Sequence, residues 1–311
     1  MNNTVYKIKK KTKNLFYCFI SSCFPVLYSK MLYKRYIGKK LNLTDPETLN
    51  EKLMYLKLNV YKDDPEVYNC ADKYAVRKRI EDLGLSHILV KLYGVYERAE
   101  DVDFDALPDK FVLKCNHGCG FNILCRDKSA FDVAAARAKL ERWMKKGFGA
   151  RTGEQGIYRK IKRRIIAEEF IETSDGEPPK DYKFFCSYGK VKMIFVASDR
   201  ASGEKKINYY YPDWTKIDVK RRGIDNSADI PRPENLDEMI RCAEIISKKY
   251  PILRVDLYNE NGKIYFGEMT FTHCSCKGKY EPDSFDLLFG KMFPDKKEID
   301  ERGIEKDDKD D

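Results

Sequence analysis

The chain has 311 residues, 42% of them hydrophobic and 35% charged, with 21 Tyr and 17 Phe. That composition excludes an intrinsically disordered segment and a small disulfide-stapled scaffold, and suits one large domain or a few closely joined subdomains. The net charge of +9 favours anionic partners such as nucleotide phosphates, acidic lipids or acidic polymers, but fits a merely solubilising surface equally well.

Residues 1–40 form a basic, apolar leader. A basic run from Lys7 to Lys13 precedes a largely apolar stretch, Leu15 to Tyr28 (LFYCFISSCFPVLY). The stretch is too short to cross a bilayer, which takes about 20 residues. It resembles the front of a signal peptide, yet basic residues resume at Lys30, Lys34 and Arg35 where a cleavage site would stand. Two readings stay open: a helix lying on an anionic membrane face, or an ordinary helix packed on the domain.

Residues 41–110 read as an N-terminal α/β subdomain. A helix is expected over Leu41–Leu58, started by Thr44-Asp45-Pro46, with Leu49, Leu53 and Leu56 at helical spacing. Asp72–Leu83 (DKYAVRKRIEDL) is a second helix, closed by Gly84. Ile88–Tyr96 reads as a strand. Residues 111–180 form a small subdomain: strand Phe111–Lys114, a polar loop (CNHGCG), strand Asn122–Cys125, helix Phe131–Lys146, strand Ile165–Ile171, then a loop from Thr173 to Lys180. Residues 181–294 contain a hairpin over Asp181–Ser198 turning at Tyr188-Gly189, a helix over Leu236–Lys249, and a second hairpin of Leu253–Tyr258 and Lys263–Glu268 turning at Asn259–Gly262. Residues 295–311 are a mixed-charge tail expected to fray. The fold class is α+β.

The 10 Cys fall partly inside apolar runs such as Phe184-Phe185-Cys186, which favours reduced, buried thiols of a cytoplasmic protein. His273, Cys274 and Cys276, or Cys115 and Cys119, would be the zinc candidates, but their spacings are not those of the common zinc pairs.

The second hairpin carries the most specific chemistry. Alternation puts Arg254 and Asp256 on one strand face, and the returning strand brings Glu268 back towards Asp256. Two close carboxylates repel unless a cation lies between them, and hard oxygen ligands suit Mg²⁺. Exposed charges on a solvated hairpin are the plainer account. Lys114 at a strand end, followed by Gly118 and Gly120, suits phosphate through backbone N–H groups and positive charge, though no Walker A pattern is present. His117 in that loop fits a local hydrogen bond or a substrate contact.

Taken in order, these pieces resemble the ATP-grasp superfamily. Ala71-Asp72-Lys73-Tyr74 with its helix resembles the first lysine element, and Phe111–Lys114 with the loop to Gly120 resembles the second lysine and its phosphate-covering loop. Ile165–Ile171 (IIAEEFI) is similar to the strand that receives adenine, and Arg254-Val255-Asp256 with Phe266–Thr270 (FGEMT) to the metal elements. Leu43–Leu53 (LTDPETLNEKL), Asp181–Phe185 (DYKFF) and Tyr265–Thr272 (YFGEMTFT) narrow the resemblance to the TupA-like branch, associated with bacterial surface polysaccharides.

The resemblance implies two α+β subdomains gripping ATP between antiparallel sheets. Lys73 and Lys114 would bind phosphates, and Asn116, His117, Gly118 and Gly120 would belong to the covering loop. Glu168, Glu169, Phe170 and Ile171 would hold adenine, mainly through the backbone of Glu169 and Ile171, with Phe170 turned away to the core by alternation. Asp181 would take the ribose hydroxyls, and Lys183 joins the nucleotide set. Asp256, Glu268 and Thr270 would bind Mg²⁺, Thr270 standing where the family usually has Asn. Arg254 would stabilise an acyl phosphate. Thr272-His273-Cys274 replaces the usual Pro-Gly beside the acceptor, so acceptor identity does not transfer.

The implied activity is an ATP-dependent carboxylate–amine ligase of surface-polymer assembly. Its acceptor would be a small molecule, glycan or peptide, with no nucleic acid partner, and the chain would be cytoplasmic or peripheral at the inner membrane face through residues 1–40. A glycosyltransferase-like enzyme using a nucleotide sugar, and a non-catalytic module binding an acidic polymer, are the alternatives.

Overall fold

The structure is a computed structural model and describes residues 16–149, 151–173, 176, 178–198, 205–228 and 230–307. The N-terminal basic run from Lys7 to Lys13 lies outside the described residues. The chain begins with helix α1 (16–23), then α2 (Pro25–Ile37), ended by Gly38 at φ +87°.

Helix α3 runs Leu49–Asn59, not from residue 41. Thr44 N and Asp45 N instead donate to Asn42 Oδ1 (3.1 Å each), which holds that segment in a turn. Thr48 is the N-cap because Glu51 stands three residues on: Thr48 Oγ1 accepts from Glu51 N, and Glu51 accepts from Thr48 N (3.2 Å each). Helix α4 (Pro65–Ala71), capped by Asp64, was not anticipated. The helix expected from Asp72 starts at Val76 (α5, Val76–Asp82), because Asp72 Oδ1 takes up Tyr74 N (2.8 Å) and Ala75 N (3.3 Å) in a preceding turn.

The smaller sheet holds β1 (Leu92–Tyr96), β2 (Phe111–Cys115), β3 (Asn122–Cys125) and β4 (Ile165–Glu169) in the antiparallel order β1-β4-β2-β3. Its inner face, including Phe111, Leu113, Ile165 and Ala167, packs on Leu140 of helix α6 (Val133–Lys145) as a separate core. After the short α7 (Gln155–Tyr158) the chain runs through β4 of the smaller sheet and then enters the larger sheet of β5 (Asp181–Ser187), β6 (Lys190–Ser198), β7 (Lys206–Tyr210), β8 (Lys216–Ile217), β10 (Leu253–Glu260) and β11 (Lys263–Thr270). Their order is β11-β10-β5-β6-β7-β8, while β9 (Lys220–Arg221) pairs with β12 (Tyr280–Glu281). Both expected hairpins are present, the first turning at Tyr188 and Gly189 and the second at Asn261 and Gly262, all four at positive φ.

The larger sheet shares its core with α8 (Leu236–Ser247), α9 (Phe285–Gly290) and, across the sequence, with Leu49, Leu53, Val67, Val76 and Ile80. The segment 41–110 is therefore not a subdomain of its own: α3–α5 complete the larger core and β1 joins the smaller sheet. Helices this short expose too little apolar surface to bury one another and must pack on a sheet. The expected fraying of the tail also fails up to Asp307. Asp295 caps α10 (Lys296–Arg302), Ile299 is fully buried, and Asp307 accepts two hydrogen bonds from Arg79 (2.7 and 2.8 Å).

Candidate active site

On β10, alternation puts Arg254, Asp256 and Tyr258 on one face. Asp256 stands across from Glu268 on one side and Lys183 on the other, Arg254 is opposite Thr270, and Tyr258 is opposite Asp181. All of these side chains but Tyr258, with Lys73 from the turn before α5, form a continuous ionic chain. Arg254 is its centre: Nε donates to Asp256 Oδ1 (2.6 Å), and Nη2 donates to Asp256 Oδ2 (2.7 Å), Glu268 Oε1 (3.2 Å) and Thr270 Oγ1 (2.9 Å). Its Nη1 faces His273 Nδ1 at 2.7 Å, so that nitrogen is the acceptor and the imidazole is neutral. Lys73 Nζ donates to Glu268 Oε2 and to Gly118 O (3.1 Å each), and Lys183 bridges Asp181 (2.6 Å) and Asp256.

Electrostatics follow from burial and pairing. Burial alone would raise the Glu268 carboxyl, but Lys73, Arg254 and Lys183 outweigh it and hold the group well below the usual carboxylate range. Burial works against the charge of Arg254, yet Asp256 and Glu268 keep it firmly protonated. Burial, then the positive charge of Arg254, push His273 far below its ordinary value.

The smaller sheet supplies the opposite wall. Val112 and Lys114 point away from the smaller core, and Lys114 Nζ pairs with Glu168 Oε2 at 2.7 Å, with Arg77 3.5 Å from the other oxygen. A cavity of about 240 Å³ opens there, lined by Val112, Lys114, Leu124, Glu169, Phe170 and Ile171 on one side and by Tyr258 of β10 on the other. Strand β4 ends at Glu169, so alternation no longer governs Phe170. Its ring lines the cavity under the Arg126 guanidinium (5.1 Å) rather than entering the core.

The nominated residues thus divide. Arg254, Asp256, Glu268, Thr270, Lys73, Lys183 and Asp181 gather in the ionic chain; Lys114, Glu169, Phe170 and Ile171 line the cavity. Glu168 is turned to Lys114 and Arg77. The Asn116 side chain is fully buried, donating to Asp72 Oδ1 (2.8 Å) and Lys162 O (2.9 Å) and accepting from Arg164 N (2.7 Å). His117 is buried against Phe121 with Nε2 at 3.2 Å from Trp143 O, while Gly118 lies under Phe121 and Phe148. Asn116 and His117 therefore support the loop from beneath, and only Cys119 and Gly120 reach its surface. Sequence reasoning missed Val112, Leu124 and Tyr258; Tyr258 was legible as the next residue on the Asp256 face.

Asp256 and Glu268, with the Thr270 hydroxyl, offer hard oxygen donors on one face, the set that suits Mg²⁺ shared with phosphate oxygens. Among the described residues no group of three or more His, Cys, Asp or Glu is placed to hold a metal unaided, and His273 is committed to Arg254.

Two antiparallel sheets closing on a cavity, with a lysine from each side and a carboxylate pair at one end, make up an ATP-grasp fold. A family model described as TupA-like ATPgrasp matches residues 51–294, and the chain belongs to the TupA-like ATP-grasp family. No curated protein sequence matches it. Similar solved structures include a D-alanine–D-alanine ligase from Bacillus anthracis complexed with ATP (14% identity, TM-score 0.39, 66% of this chain and 55% of that one). An L-amino acid ligase from Bacillus licheniformis (15%, 0.41, 71% and 48%) and an N5-carboxyaminoimidazole ribonucleotide synthetase from Thermus thermophilus (10%, 0.41, 73% and 52%) are two more. The chain spans about half the length of each.

Proposed function

We propose that the protein is an ATP-dependent ligase that activates a carboxylate as an acyl phosphate and passes it to an amine or related nucleophile. The observation that carries this reading is an apolar cavity between Lys114 and Tyr258, with Tyr258 on the same β10 face as the Arg254 and Asp256 of the ionic chain Lys73–Glu268–Arg254–Asp256–Lys183. The cavity suits a flat base, held by the backbone of Glu169–Ile171 beside the rings of Phe170 and Tyr258. Lys114 and Lys73 meet the phosphate charge, exchanging Glu168 and Glu268 for phosphate oxygens. Asp256, Glu268 and Thr270 would hold Mg²⁺, which when bound supplies charge neutralisation to the phosphates. Arg254, pinned by Asp256 and by the neutral His273, is pre-oriented to stabilise a developing oxyanion, where fixed donors act most strongly.

The family's association with surface polysaccharides and the net charge of +9 support an acidic polymer or its precursor as the acceptor, assembled on the cytoplasmic side. The test is a thermal shift with ATP and Mg²⁺, beside UDP-sugars, on wild type and Lys114→Ala. A ligand bound only by the folded state stabilises it by about 2.7 kcal/mol at a hundredfold excess over Kd. A shift with ATP that Lys114→Ala removes, followed by ADP release with a carboxylate and an amine, is the expected result. A shift with a UDP-sugar alone would overturn it in favour of sugar transfer.

A further inference from the structure

Helices α1 and α2 present an apolar surface that the other described residues leave exposed. Phe16, Phe19, Phe24, Leu27 and Met31 are each between 53% and 61% exposed, and no other large apolar side chain among the described residues is half exposed. The exposure does not come from a detached segment. Helix α2 is fixed by its opposite face: Tyr28, Ser29, Leu32 and Tyr33 are buried, and Tyr28 Oη donates to Arg151 O at 3.1 Å. Positions 27, 30, 31 and 34 fall on the turn-repeat face away from that packing, so Leu27 and Met31 alternate with Lys30 and Lys34 on the open side.

Charge completes the pattern. The first acidic residue of the chain is Asp45, and Lys or Arg occurs ten times before it. No helix among the described residues is long and apolar enough to cross a membrane. An aromatic and aliphatic face edged by cations, on helices too short to span, is the composition that seats at the boundary of headgroups and acyl chains. A second copy of the chain is a poorer occupant, because two such faces would bring like charges together.

We propose that the α1–α2 face docks on an anionic lipid surface, with Phe16, Phe19, Phe24, Leu27 and Met31 entering the headgroup boundary and Lys30, Lys34 and Arg35 meeting lipid phosphates. This goes beyond the proposed ligase chemistry and does not depend on it.

The full-length protein is sedimented with phosphatidylcholine vesicles with and without phosphatidylglycerol, at low and high salt. Wild type binds the anionic vesicles, at least about tenfold more tightly than the neutral ones, and high salt weakens it. The variant Phe19→Ser/Phe24→Ser/Leu27→Ser loses about tenfold or more at unchanged salt dependence. Lys30→Glu/Lys34→Glu/Arg35→Glu loses the preference for anionic lipid. Both variants alter exposed positions, and retention of the wild-type thermal midpoint and circular dichroism spectrum separates loss of docking from loss of fold. Failure of wild type to sediment, equal binding to both vesicle types, or undiminished binding by a folded triple-serine variant overturns the proposal. So does a wild-type dimer in solution that the serine variant converts to a monomer, which would assign the face to a second copy.

Discussion

Asp256 lies directly across from Glu268, although the Asn261-Gly262 turn by itself does not put it there. The turn sets Glu260 against Lys263, and that register continues to Leu257 against Phe266, which would bring Asp256 to Gly267. Between Asp256 and Leu257 the register shifts by one residue and Gly267 is absorbed as a bulge. A one-residue slip moves every later side chain to the other face. The bulge therefore lets Phe266 point into the core while Glu268 and Thr270 turn to the cleft beside Asp256 and Arg254.

A side chain at Gly267 should damage this arrangement. A Cβ there would sit 3.0 Å from Asp256 O and 3.3 Å from the Tyr258 ring, so Gly267→Val is expected to cost about 1–3 kcal/mol. Urea unfolding measures that cost. Nucleotide turnover should fall further than stability explains, and a fully active variant would mean that the bulge does not place the carboxylates.

Removing the charge of Glu268 tests the ionic chain. Glu268→Gln keeps the shape but withdraws the carboxylate from Lys73 and Arg254, and ATP turnover should drop by about a hundredfold or more with little change in the circular dichroism spectrum. Turnover near wild type would take Glu268 out of the metal set.

Filling the cavity should separate base binding from phosphate binding. Val112 lines it without belonging to the smaller core, and Val112→Phe is expected to weaken ATP by about tenfold or more while leaving the thermal midpoint within a few degrees. Calorimetric titration with ATP reads the first. Unchanged affinity would place the base elsewhere.

Lys277 gives a pH signature. Its ammonium donates to Thr152 O (2.9 Å) and Ser275 O (2.8 Å), but burial first, and the charge of Lys57 second, bring it from 10.5 down to about 8. Between those values the unfolded chain binds more protons than the folded one, so stability should rise with pH across that window. The gain is on the order of 1 kcal/mol after allowance for partial exposure. Lys277→Met should flatten the rise, and amine acylation followed by mass spectrometry should show Lys277 half-reactive near the lower value. Half-reaction near the upper value would refute the shift.

Both hairpins were legible because period-two alternation and the Asn-Gly turn are local signals. Asp256 with Arg254 was legible for the same reason. The bulge at Gly267 was not, since it is fixed by the competition between Phe266 and Glu268 for opposite faces. The buried role of Asn116 was equally hidden: its partners Asp72, Lys162 and Arg164 are remote in sequence. The order of the tail was hidden because the cations that hold it, Arg79 and Lys249, lie far upstream of Asp307. Strands β7–β9 are too short or too irregular to show a period.

The two apolar cores meet mainly through polar groups: Asn116 with Asp72, Lys73 with Gly118, Arg77 with Glu168, and one ring pair, Phe148 and Tyr158. A seam of this kind differs from packed hydrocarbon in its thermal signature. Parting it wets little apolar area, so it lacks the large positive heat-capacity change of opening a core, and its hydrogen bonds are exchanged for bonds to water. The jaws of the cleft can thus change their gape on a free energy that runs almost linearly with temperature, while apolar burial in the two cores gives the fold its curved stability.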